Sequence, residues 1–79
     1  MYKRGFGKIL KYERKSWGMS RRRLAKLSHI EIDDLIDIET GKNITPSFFV
    51  LLNICEVLEI SAFELVNGNT TMNELLKQE

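Results

Sequence analysis

The sequence predicts an all-α domain, and three observations lead there. Phe6, Ile9, Leu10, Glu13 and Trp17 follow three–four spacing, the signature of an amphipathic helix. Helix-start signals at Ser20, Thr45-Pro46 and Ser61-Ala62-Phe63-Glu64 alternate with the stop glycines Gly18, Gly41 and Gly68. No segment alternates apolar and polar residues with period two over a useful length, and neither internal repeats nor low-complexity stretches interrupt the pattern.

Each helix has its own reasons. Residues 6–16 form the first, which ends near Gly18. Ser20 is a good N-cap for a second helix running to about Ser28, with Leu24, Ala25 and Leu27 available to face inward. His29 occupies the turn that follows. Residues 32–39 make a third helix, with Leu35 and Ile38 inward and Gly41 as its stop. Thr45 as N-cap and Pro46 at the first helical position launch a fourth helix to about Leu58. Ser61 and Glu64 form a capping box for a short fifth helix closed by Asn67-Gly68. A last turn starts at Thr71, where Thr71 and Glu74 repeat the capping-box pattern. The organisation expected is a domain over residues 1–69 and a C-terminal tail over 70–79.

Length and composition bound the function. Seventy-nine residues allow one domain with a small core. The single Cys55 excludes an internal disulfide and lacks the companions of a zinc site, so a cytoplasmic protein is expected. There is no apolar run of about eighteen residues for a membrane span, and no apolar stretch behind the charged N-terminus for a signal peptide. No Ser-His-Asp, Cys-His or glycine-rich phosphate-loop pattern occurs, so no enzyme is expected. Neither a metal nor a cofactor is expected, because His29 has no partner at ligand spacing.

The net charge of +1 hides an asymmetry. Residues 1–26 carry ten Lys/Arg and one acid, a balance of +9; residues 27–79 carry two Lys and ten acids, a balance of −8. Such a division points to a polyanion, to an acidic partner, or to two halves that neutralise each other on folding.

Arg14, Gly18-Met19-Ser20, Leu24-Ala25, Leu35, Ile38-Glu39-x-Gly41, Pro46, Leu51-Leu52 and Leu58-x-Ile60-Ser61 together resemble a known pattern. It is that of the phage-repressor and Cro-type (XRE-like) helix-turn-helix family, matched over Gly7 to Asn69, about four-fifths of the chain. The resemblance implies a five-helix domain that binds duplex DNA, commonly as a homodimer, with the third helix in the major groove. It also implies an ion pair between Arg14 and Glu39 tying the first and third helices. Arg21, at the start of the second helix, stands where the family often places a phosphate-contacting glutamine. Arg22, Arg23 and Lys26 thicken that positive surface, and Lys42 and the amide of Asn43 are the remaining candidates in the following loop.

The third helix departs from the family pattern. Its outward positions carry Glu31, Ile32, Asp33, Asp34, Ile36 and Asp37 where serine, threonine, glutamine or arginine are usual. Carboxylates can accept from the cytosine amino group, yet they sit poorly among phosphates. Asp33 and Asp34 also suit the first turn of a helix electrostatically. Ile32 and Ile36, an i,i+4 apolar pair among acids, resemble a protein-contact patch or a mimic of a nucleic-acid surface more than a base-reading edge. The fourth helix is apolar nearly all round: Phe48, Leu51, Leu52, Cys55 and Leu58 form one face, Val50, Ile54 and Val57 another. Phe49, Val50 and Phe63 are therefore expected at a homodimer interface. The sequence thus predicts a DNA-binding transcription regulator of phage, plasmid or mobile-element type. Its alternative is a degenerate helix-turn-helix that acts by protein contact, as an antirepressor or adaptor of another regulator.

Overall fold

The computed structural model describes residues 2–65, and every regular element in that range is helical. Four α-helices follow in order, α1 (Phe6–Ser16), α2 (Arg21–Leu27), α3 (Ile32–Thr40) and α4 (Phe48–Leu58). A 3-10 helix over Ala62–Leu65 completes them. The expected five α-helices are thus four plus one 3-10 turn. Ser61 does start that turn, its Oγ accepting from Phe63 N at 3.3 Å, but i→i+3 bonding takes over, as in Glu64 N to Ser61 O at 3.1 Å. The Asn67-Gly68 stop, the Thr71 turn and the 70–79 tail lie outside the described residues.

One core joins all the elements. Leu10, Leu24, Leu35, Ile38, Leu51, Ile54, Leu58 and Leu65 are fully enclosed, with Phe6, Ala25 and Cys55 beside them. Each such aliphatic side chain contributes roughly 1.5–3 kcal/mol by leaving water. α1 crosses α3 at Gly7, where a Cβ would overlap the carbonyl oxygen of Ile38. Only glycine permits that approach.

Three expectations change on packing. Leu27 was expected inside but is 41% exposed, because the α2 stripe that meets α3 and α4 is carried by Leu24 and Ala25. α4 begins at Phe48, two residues later than expected, since Ser47 rather than Thr45 caps it through Val50 N at 3.2 Å. Pro46 stays outside the helix, buried, with its carbonyl accepting from the Tyr2 hydroxyl at 2.7 Å. The buried α4 stripe is Leu51, Ile54, Cys55 and Leu58, an i, i+3, i+4, i+7 pattern. Phe48 falls outside it and is 47% exposed, while Val50, Leu52 and Val57 pack at its edges.

Long-range polar bonds close the ends. Trp17, in the loop after α1, donates its indole N–H to the carbonyl of Leu58 at 3.1 Å, capping the last turn of α4. Glu59 follows in a left-handed conformation (φ 57°), an uncommon position for a residue with a side chain. The N-terminal segment is held by Lys3 N–H on the carbonyl of Leu65 and by Tyr2, whose ring lies tilted at 49° to that of Phe6 with centroids 5.1 Å apart.

Candidate nucleic-acid interface

The α2–turn–α3 unit is built by local rules. Ser20 Oγ accepts from Arg23 N at 3.1 Å and starts α2. Ser28 ends it, and His29 turns the chain with φ 59°. The turn is closed by His29 N to Lys26 O at 3.2 Å and Ile30 N to Ala25 O at 3.0 Å. These bonds make the left-handed histidine tolerable where glycine would be easier. α3 then opens after Glu31, whose carbonyl accepts from Asp34 N and Leu35 N, and closes on Gly41 with φ 84°.

A charged cluster locks this unit to α1. Arg14 Nε and Nη2 donate to the two Glu39 carboxylate oxygens at 2.7 and 3.0 Å, and its Nη1 donates to Met19 O at 2.7 Å. Arg21 Nε adds a third bond to the same carboxylate at 2.9 Å. The Glu39 side chain is wholly buried and that of Arg14 nearly so, whereas Arg21 remains 31% exposed. Burial alone would raise the Glu39 pKa, but hydrogen bonds from Arg14 and then Arg21, with their charges, outweigh it and hold the group ionised below its ordinary value. The Arg21 bond has no counterpart in the sequence-based expectations, which gave that residue to phosphate alone.

Around this lock the other candidate residues separate into two surfaces. Arg22, Arg23 and Lys26 are exposed along α2. Glu31, Asp33 and Asp34 are exposed at the start of α3, and Asp37 and Ile36 are half-buried further along it. Ile32 is not fully outward as expected; it packs partly against the core, which leaves Ile36 as the more independent apolar group of the pair. Among the described residues both ion pairs converge on Glu39. The basic and acidic halves are thus paired directly at this buried lock, while the outer cations Arg22, Arg23 and Lys26 and the outer acids Glu31, Asp33, Asp34 and Asp37 form no ion pair among the described residues.

The loop after α3 is less available than expected. Lys42 is exposed, but the backbone N–H of Asn43 is committed to Asp37 O at 2.9 Å. Its side-chain Oδ1 is likewise taken by Thr45 N, also at 2.9 Å. These bonds shape the loop, so only the side-chain NH2 of Asn43 remains a candidate donor. Of the residues expected at a dimer interface, Phe49 and Phe63 are 78% and 62% exposed, and Val50 is half-buried against the core.

Among the described residues no group of three or more His, Cys, Asp and Glu could hold a metal ion, and no helix is long and apolar enough to cross a membrane. Cys55 is enclosed, and burial followed by the nearby Glu64 charge pushes its thiol pKa up to about 11. It behaves as a small apolar side chain.

No protein-family model and no curated protein matches the chain. A solved structure does match, from the complex of SinR protein with SinI protein. Its likeness covers 91% of this chain and 74% of that one, at 26% identity and a TM-score of 0.74. The α2–turn–α3 unit in this all-helical setting, together with that likeness, makes the fold an all-α helix-turn-helix domain.

Proposed function

We propose that this protein is a transcription regulator of phage, plasmid or mobile-element type that binds duplex DNA through its helix-turn-helix. The observation that carries this is the outer face of α2. Arg22, Arg23 and Lys26 stand exposed and outside the two ion pairs, on a unit rigidly tied to α1 through Glu39. Cations held on a fixed frame suit phosphate contacts, which set register and orientation on a duplex. Lys42 extends the same role into the loop. α3 then supplies base contacts, with Glu31, Asp33 and Asp37 as acceptors for cytosine amino groups. Two copies joined through Phe49, Val50 and Phe63 would present two such units to successive turns of the groove.

A second reading, action by protein contact, is favoured by a specific observation. The exposed acids of α3 form no ion pair among the described residues and flank Ile36. The solved structure that matches is itself a complex of two proteins. In this reading α3 docks on a basic surface of another regulator.

Fluorescence anisotropy with random and genomic duplexes at two salt concentrations separates them. DNA binding predicts affinity that falls steeply with salt, by a log–log slope of about 0.9 per phosphate contact. Arg22→Ala with Arg23→Ala should weaken binding to all sequences alike and flatten that slope by about one unit per lost contact. Absence of binding at low salt, with capture of a regulator lost on Asp33→Arg, gives the protein-contact reading.

A further inference from the structure

The two arginines on Glu39 are not equivalent. A guanidinium has five N–H donors. Arg14 donates from Nε, Nη1 and Nη2, is buried, and has no outward edge left. Arg21 donates from Nε alone, and its side chain is 31% exposed. Two cations also share one carboxylate, so the cluster carries an uncompensated positive charge at its outer member. An arginine held at Nε presents Nη1 and Nη2 as a parallel pair, the edge that matches two oxygens of a phosphate.

We propose that Glu39 is a positioning residue for anion binding, holding Arg21 by Nε so that its free Nη pair takes a phosphate group. This rests on the DNA-binding reading where the phosphate belongs to a duplex backbone, but the chemistry is that of any accessible phosphate. The cost of ordering a long, exposed side chain is met before the anion arrives, because the buried carboxylate has already fixed it. Arg22 and Arg23, exposed and unanchored, lack that advantage. Glu39 touches no ligand; it acts through Arg21.

The test uses the full chain labelled with nitrogen-15 on arginine, titrated with inorganic tripolyphosphate and, in parallel, with duplex DNA. Tripolyphosphate is expected to shift the Arg21 side-chain resonances, while the Arg21 Nε–H stays slower to exchange than those of Arg22 and Arg23. Arg21→Lys keeps the charge but removes the fork, and should weaken duplex binding by about tenfold, as expected for one lost charge-assisted bond. Arg22→Lys should change it by less than about twofold. Glu39→Gln, where circular dichroism shows it folded, should release the Arg21 Nε–H to fast exchange and weaken binding as Arg21→Lys does. Unmoved Arg21 resonances, or equal effects of Arg21→Lys and Arg22→Lys, overturn the inference. If the duplex binds without involving Arg21, the inference falls and the DNA reading stands. If tripolyphosphate engages Arg21 while no duplex binds, the DNA reading falls and the positioning role stands.

Discussion

Glu39 concentrates the risk of the fold in one carboxyl group. Its side chain is wholly buried and accepts three hydrogen bonds from two arginines. Glu39→Ala leaves Arg14 as a buried charge with its principal partner gone, a loss of about 3–5 kcal/mol for broken buried pairs. Urea denaturation followed by circular dichroism should show that loss, and a midpoint close to wild type would exclude the role. The sign with pH follows from the lowered pKa. The unfolded chain takes up the proton first, so the stabilisation is complete above the ordinary value of 4.5 and disappears as pH falls through the lower folded value. Acid unfolding below that range should be shallower in Glu39→Gln, provided it folds, because the titrating group is gone. The Arg14 bond was legible from sequence, since it rests on two positions of a known motif. The Arg21 bond was not, because nothing in the spacing says that a residue at the mouth of α2 folds back onto α3.

Among the elements, α2 and α3 follow their sequence signals closely while α4 does not. Ser20 and Gly41 each bound a helix where only one residue suits the role, and the structure uses both. Before α4, Thr45 and Ser47 are both competent caps. Tertiary contact decides between them, since Pro46 is buried and bonded to Tyr2. In the same way, a helix apolar on every side offers periodicity no choice of face, so Phe48 could be placed only by what α4 packs against. α3 poses the opposite problem: its buried face is unambiguous and its outer face is not. Asp33→Arg with Asp37→Arg reverses two charges on that face. If α3 meets DNA, the double variant should bind duplexes more tightly overall yet lose discrimination at defined base pairs, by roughly 1–3 kcal/mol each. If α3 meets protein, it should lose its partner. Anisotropy with matched and mutated sites, beside co-purification of tagged protein, reads both outcomes.

At the scale of the molecule, charge and apolar surface are both left unsettled by the single chain. Apart from the Arg21–Glu39 pair, the outer cations of α2 and the outer acids of α3 are not joined by direct ion pairs among the described residues. Phe49 and Phe63 meanwhile keep most of their surface in water, which is costly for large aromatic groups unless a second surface covers them. We expect Phe49→Ser with Phe63→Ser to give a monomer of unchanged helix content at tens of micromolar, where the wild type scatters light as a dimer. A wild type that is itself monomeric at that concentration removes the interface. The double variant should also bind DNA more weakly, since two linked domains gain from effective concentration and one does not.

The hydrogen bond from the Trp17 indole to the Leu58 carbonyl gives the protein an optical reporter of its own. The chain has one tryptophan, and it is half in water with its N–H engaged on the end of α4. Its emission therefore belongs wholly to one junction, between the loop after α1 and the far end of α4. Any event that loosens α4 there frees the indole and reddens the fluorescence, while a change confined to α3 leaves the colour alone. Stopped-flow emission can then time the detachment of α4 against the loss of helix recorded by circular dichroism. Traces that coincide mean that the domain opens in one step; an earlier red shift means that α4 is the first element to leave.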